Sequence, residues 1–281
     1  MVPSFILSLR EGVEAALIIG IVLASLRQMR RLELSTAVWA GTGSAALISL
    51  LIAILFTRLG LELKDPGEAI FEGITMLLAA GILTWMIFWM ARRSRNMKAE
   101  LESNVQRASQ AGKWSLFGLA FIAVLREGVE LALFLTAATF TSNASWTILG
   151  GVLGLGTAIL LGWSFFATTM RLDLGRFFQV TGFVLLLFAA GLVGRSAGEL
   201  VLAGWIPALI GHVWDLGGLI NEESVIGQTL GALFGYSASP SLMQILVYAA
   251  YFGTVLTGLL TTYRKRRTRP VATPTLGRRS I

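Results

Sequence analysis

The chain has 281 residues, 55% apolar and 14% charged, with a mean hydropathy of +0.72 and a formal net charge of +7. So few charges, against about 25% in an average soluble domain, exclude a soluble globular protein and indicate an all-α polytopic membrane protein. The absence of cysteine excludes disulfides, thiolate metal sites and a cysteine nucleophile, and there is a single histidine, His212.

In chain order, apolar runs long enough to cross a bilayer as helix are predicted at 3–26, 36–57, 69–91, 115–138, 146–168, 177–200 and 241–263. No basic segment precedes the first run, so Met1 to Leu26 reads as a span and not as a cleaved signal peptide. Basic residues fall in alternate connections. One set holds Arg27, Arg30 and Arg31, then Arg92, Arg93, Arg95, Lys98, Arg107 and Lys113, then Arg171 and Arg176, and finally Arg264, Lys265, Arg266, Arg267, Arg269, Arg278 and Arg279. The other set holds only Arg58 and Lys64, offset by Glu62, Asp65 and Glu68, with no Lys or Arg near Asn143 or in 201–240. Eighteen against two puts the N-terminus outside and the C-terminus inside by the positive-inside rule. The positive charge is therefore a topology signal, and no nucleic-acid partner is expected. Trp85, Trp89 and Tyr263 suit an inner aromatic belt.

Arg10-Glu11-Gly12-Val13-Glu14 lies inside the first apolar run and recurs as Arg126-Glu127-Gly128-Val129-Glu130 inside the fourth. Residues 7–17 match 123–133 at 8 of 11 positions, and Leu77-Leu78-Ala79-Ala80-Gly81 resembles Leu187-Phe188-Ala189-Ala190-Gly191. Spans 1–3 and 4–6 thus read as two repeats. An odd number of spans per repeat makes the second copy inverted, a transporter architecture with its site where the copies meet. The expected fold is seven transmembrane helices: an inverted 3+3 repeat plus a seventh helix. Small residues at Gly150, Gly154, Ala158 and Gly162, and at Ala190, Gly194 and Gly198, are expected to serve close helix packing.

Each ionised side chain in hydrocarbon costs about 2.5–3.5 kcal/mol on insertion scales, so a doubled cluster of them indicates function. At i and i+3, Glu11 and Glu14 share a helix face, as do Glu127 and Glu130; Arg10 and Arg126 lie four residues before the second glutamate of each motif. Brought together, four carboxylates and two guanidiniums leave a net −2, which suits a multivalent cation. Gly12 and Gly128 remove bulk where a neighbouring helix or an ion approaches. If each motif were only an internal salt bridge, Glu11 and Glu127 would lack an obvious partner, and buried ion pairs contribute little to stability. Carboxylates favour hard ions, and the lack of sulfur and imidazole ligands argues against copper and zinc. Ferric iron, ferrous iron, manganese, magnesium and calcium remain open on chemistry alone.

Glu72 near the outer start of span 3 and Glu199 near the outer end of span 6 are candidates for an outer cation site. Asp215, Glu222 and Glu223 add negative charge to the long outer loop, which concentrates cations and favours uptake over export. Those loop acids read more readily as solvated surface. His212 reads as a loop residue, and Arg195 as a partner of Glu199 or a snorkelling side chain.

Two Arg-Glu-Gly-x-Glu motifs in spans 1 and 4 of a seven-span chain resemble the oxidase-dependent iron transporter family, the high-affinity iron permeases, with the bacterial ferrous iron permease branch the nearest. The resemblance covers nearly the whole chain, including Phe71-Glu72-Gly73 and Asn221-Glu222-Glu223-Ser224 leading into Gly231-Ala232-Leu233-Phe234-Gly235-Tyr236. Read with the spans, the repeat and the loop charges, it covers a permease domain over 1–264, with repeats at 1–91 and 115–200, an outer loop 201–240 and a seventh helix 241–263, followed by a basic cytoplasmic tail 265–281. It implies iron import across the cell membrane, coupled to oxidation of ferrous iron by a separate extracytoplasmic oxidase or iron-binding protein. It makes Glu11, Glu14, Glu127 and Glu130 iron ligands, with Arg10 and Arg126 as motif members. Iron is then the transported substrate, no bound cofactor is expected, and the protein is not an enzyme. The rivals are an importer of another divalent cation such as manganese and a membrane-embedded carboxylate metal enzyme. The second is disfavoured because helical di-iron sites pair Glu with His at i+3, whereas this chain has Glu-x-x-Glu.

Overall fold

The computed structural model describes residues 1–62, 64, 66–93, 97–167, 174–218, 220–221 and 224–267. Asp65, Arg95, Arg171, Glu222, Glu223 and the tail from 268 onward lie outside the described residues. Every element with regular structure among the described residues is helical: α1 Val2–Gln28, a short 3-10 turn Leu32–Leu34, α2 Ser35–Glu62, α3 Gly67–Arg93, α4 Met97–Ala111, α5 Lys113–Thr139, α6 Ala144–Ala167, α7 Leu174–Leu202, α8 Val225–Phe234 and α9 Leu242–Arg267.

The apolar runs expected as spans lie in α1, α2, α3, α5, α6, α7 and α9. Four stretches, Leu32–Leu59, Gly67–Met90, Ala144–Ser164 and Gly175–Leu202, are long and apolar enough to cross a membrane, which makes this a polytopic membrane protein. Helices α1 and α5 match them in length, at 27 residues each, and differ in carrying the motif charges.

Packing follows the small residues. A Cβ on Gly150 would meet Ser4 and the Met1 carbonyl, one on Gly154 would meet Phe5 and Ser8, and one on Gly162 would meet Ala16. Facing them, a Cβ on Gly12 would lie 2.6 Å from the Ala158 Cβ. Numbers rise together along this seam, so α1 and α6 run parallel with almost no side chain between them. The same holds for α2 and α5, where Gly41 abuts the Phe117 carbonyl and Gly128 abuts Ser49. In contrast, α3 and α7 run antiparallel: Gly73 faces Ser196 and Leu200, Gly182 faces Ile87, and the Ser196 hydroxyl donates to the Gly73 carbonyl at 2.7 Å. Where lipid replaces water, such close approach supplies the attraction that the hydrophobic effect supplies in soluble proteins.

Down the middle, Leu7, Met76, Ala79, Ala80, Leu83, Met86, Phe134, Leu185, Phe188 and Leu192 form one buried apolar core. A second cluster, with Val22, Leu26, Val38, Leu116 and Ala120, is closed by Val105 and Ala108 of α4. Helix α4 is thus an amphipathic lid over the α1, α2 and α5 ends, tied by the Arg31 guanidinium donating to the Ser109 carbonyl at 2.7 Å. Helix α8 is capped by Ser224, whose hydroxyl accepts from the Gly227 N–H, and ends at Gly235 in the left-handed region at φ 68°. Gly235 rests backbone to backbone on Gly191, near the middle of α7, so this loop reaches deep into the helix bundle.

Candidate metal site

The motifs sit near the middle of α1 and α5, where helical geometry alone sets their first contacts. The Arg10 Nε lies 3.3 Å from Glu14 Oε1, and the Arg126 Nε donates to Glu130 Oε1 at 2.8 Å, both at i and i+4. Each arginine also approaches the first glutamate of its motif, Arg10 to Glu11 at 3.8 Å and Arg126 to Glu127 at 4.0 Å. The expectation that Glu11 and Glu127 lack a partner is therefore adjusted. They have a charge partner at long range, but neither Glu11 oxygen nor Glu127 Oε2 has a hydrogen-bond partner among the described residues.

Tertiary packing then joins the two motifs. Glu11, Glu14 and Glu127 each present a carboxylate oxygen, and these atoms lie within 4.8 Å of one another. Glu11 and Glu127 are buried and Glu14 nearly so. Like charges at this separation in a low-dielectric interior repel strongly, while a cation among them would gain from all three. Glu130 lies on the same face of α5 as Glu127, held by Arg126, with its Oε2 lacking a hydrogen-bond partner among the described residues. Gly12 and Gly128 receive neighbouring helices, α6 and α2, and so set how closely the acid-bearing helices are clamped.

The two arginines differ. Arg10 is fully buried and donates from Nη2 to the Met90 thioether at 3.1 Å. Arg126 is 42% exposed and lies over the Trp89 ring, 5.4 Å from its centroid. Met90 and Trp89 are neighbours on α3, and no local signal in the chain indicates that this helix reaches both motifs.

Glu72 and Glu199 lie together, with Glu68, around an open cleft of about 580 Å³ also lined by Pro66, Ala69 and Leu202. The cleft does not reach the motifs. From Glu72 to Met90 is about 27 Å along α3, at 1.5 Å per residue, and the intervening Met76, Ala79, Ala80, Leu83 and Met86 are packed into the apolar core. His212 and Asp215 are exposed loop residues, Asp215 accepting the Gly217 N–H. The Arg195 guanidinium lies against Gly231 of α8.

A family model described as iron permease FTR1 family matches residues 1–265. The chain belongs to that family. It is 35% identical over 254 residues to the ferrous iron permease EfeU of Escherichia coli O6:K15:H31 (strain 536 / UPEC) and to that of Shigella sonnei, covering 89% of this chain and 92% of each relative. It is 34% identical over 254 residues to the ferrous iron permease EfeU of Yersinia pestis, covering 89% of this chain and 90% of that one. No solved structure matches the chain. The family and its relatives are permeases, which sets aside the reading as a membrane metal enzyme.

Proposed function

We propose that this permease imports iron across the cytoplasmic membrane, and that the cation passes between Glu11, Glu14, Glu127 and Glu130 at the meeting of α1 and α5. The observation that carries the reading is the cluster of buried carboxylates from two helices, within 4.8 Å of one another and short of hydrogen-bond donors. Glu11, Glu14 and Glu127 supply oxygen ligands, Glu130 extends the set, and Arg10 and Arg126 hold the second glutamates and reduce the net charge so that the ion is released onward. In this reading, oxidation of ferrous iron belongs to a separate extracytoplasmic oxidase or iron-binding partner. Glu72 and Glu199 collect the cation outside. Because the apolar core separates that cleft from the motifs, passage requires the helices to rearrange.

The proposed frame is seven spans, α1 to α3 inverted on α5 to α7, with α9 added, the N-terminus outside and the C-terminus inside. The parallel seams α1–α6 and α2–α5 and the antiparallel seam α3–α7 support it, because they are interchanged or preserved by one twofold operation. A cytoplasm-dependent reporter should be active after Arg269 and silent near Asn143. The reverse pattern would overturn both topology and direction.

The deciding experiment is uptake of radioactive iron against radioactive manganese in cells lacking other importers. Iron accumulation dependent on this chain supports the proposal. Manganese accumulation without iron would instead support a manganese importer, which the carboxylate chemistry also accommodates. Omitting the oxidase partner should reduce iron uptake if the two are coupled.

A further inference from the structure

Ser8 lies one turn before Glu11 on α1 and is completely buried. Most hydroxyls in these helices fold back on their own backbone. Ser49 donates to the Ala45 carbonyl, Thr84 to Ala80, Thr136 to Ala132 and Thr181 to Phe177, and one turn up α1, Ser4 donates to Met1. The Ser8 hydroxyl has no hydrogen-bond partner among the described residues. A buried hydroxyl without a partner is destabilising, and a bond back to the α1 backbone of the kind its neighbours make would remove that cost.

Along α1 Ser8 adjoins the carboxylate cluster, while Gly154 of α6 packs against its Cβ. Ser8 and Glu11 are three residues apart on one helix face. Helix α6 is parallel to α1 and joined to α5 by the tight turn at 140–143, so α5 runs antiparallel to α1. Glu11 and Glu127 belong to one cluster, so on antiparallel helices Ser8, before Glu11, and Glu130, after Glu127, both fall on its outward side, and Glu130 Oε2 is likewise buried without a hydrogen-bond partner among the described residues. Bare backbone at Gly151 faces the hydroxyl: a Cβ there would lie 3.5 Å from Ser8 Oγ. The matching place before the second motif is Val124, so helix packing at this position does not require a hydroxyl.

We propose that Ser8 is a further ligand of the cation passage, a neutral oxygen on the outward side of Glu11 that takes over one water of hydration as the ion reaches the carboxylates. This rests on the reading of the carboxylate cluster as the iron site. A neutral donor raises the coordination number without deepening the electrostatic well, which favours an ion that must also leave. It also makes the passage asymmetric: the outward approach to Glu11 carries a hydroxyl, and the inward approach to Glu127 carries the Val124 side chain.

The absence of cysteine allows a direct test. Ser8→Cys is nearly isosteric and introduces one thiol, a soft ligand that prefers cadmium to the hard ions carboxylates favour. Purified full-length Ser8→Cys protein is titrated with cadmium, and the thiolate-to-cadmium absorption in the ultraviolet is followed. The proposal expects cadmium affinity to rise about tenfold over the unaltered chain. Ferrous iron should compete for the site, and Glu11→Gln in the Ser8→Cys background should abolish the gain. Ser4→Cys, one turn outward, should show no gain. Cadmium affinity equal to the unaltered chain, or a gain indifferent to Glu11→Gln, overturns the role of Ser8. Ser8→Ala gives a second measurement: its apparent KM for iron uptake should rise with membrane abundance unchanged, and an unchanged KM overturns the proposal. If the unaltered chain imports iron while Ser8→Cys gains no cadmium, Ser8 alone is excluded. If the unaltered chain imports no iron, the underlying site reading falls instead.

Discussion

Arg10 and Arg126 hold the same place in identical five-residue motifs, yet one is 1% exposed and the other 42%. Arg10 ends on a thioether inside the protein and Arg126 lies across an indole face. A parallel inequality separates the two Ala-Ala-Gly stretches. Gly191 on α7 carries the end of α8, whereas a Cβ on Gly81 of α3 would meet nothing within 4 Å. Local sequence therefore sets the helix and the pairing of each arginine with the glutamate four residues on. What lies over each copy is decided by distant elements: α8, which is outside the duplication, and α3, whose Met90 and Trp89 meet opposite motifs. Identical chemistry in unequal surroundings is what a passage needs if the ion is to approach by one side and leave by the other.

The largest effect that tests this comparison is loss of a clustered carboxylate. Glu11→Gln, Glu14→Gln or Glu127→Gln should each reduce iron uptake per folded molecule to near background, measured against membrane abundance by immunoblot. Wild-type uptake by folded molecules of these variants would make the motifs scaffolding. Arginine loss should split the copies. Removing Arg10 leaves two buried carboxylates without their nearest cation, a loss of about 3–5 kcal/mol for a broken buried pair, and should lower abundance and thermal stability in detergent. Arg126→Ala should lower stability much less, since its pair is partly solvated. Equal losses would mean that the difference in exposure carries no energetic weight.

Gly12→Ala and Gly128→Ala should each destabilise by about 1–3 kcal/mol through overpacking, seen as a drop in melting temperature. Ala158→Gly should relieve the first and Ser49→Gly the second, with no relief when the pairs are exchanged. The smallest effect is expected outside the motifs: Glu72→Gln should raise the apparent KM for iron modestly and leave the maximal rate intact. A fall in maximal rate alone would argue against a collecting role for the outer cleft.

Much of this was legible in the sequence because it is local. The apolar runs, the i to i+4 pairing and the small-residue stripes depend on residues within a turn or two, and helices formed around each of them. Helix α4 was not anticipated, since Leu101, Val105 and Ala108 are its few apolar contacts in a polar segment that reads as a loop. Helix α8 carries readable signals, an N-cap serine at Ser224 and a terminal glycine at Gly235, in a segment otherwise rich in loop residues. Nothing local could reveal that Met90 and Trp89 meet opposite copies of the motif, or that the apolar core lies between Glu72 and Glu11, because both depend on how α3 crosses its neighbours.

The seams have a further consequence, for synthesis. Helix α1 is covered by α6 and α2 by α5, so the first half of the chain cannot bury its own glycine-fitted faces. About 140 residues separate the end of α1 from the end of α6, a delay of roughly 7–28 s at 5–20 residues per second on the ribosome. For most of that interval, until α5 is made, Arg10, Glu11 and Glu14 are in or near the membrane without Glu127 beside them. The pairing of Arg10 with Glu14 needs only one turn of α1 and so can form as soon as that helix does. The arginine thereby acts as a provisional counter-ion for a newborn helix, neutralising half of its acid load until the second copy is made and the two motifs meet.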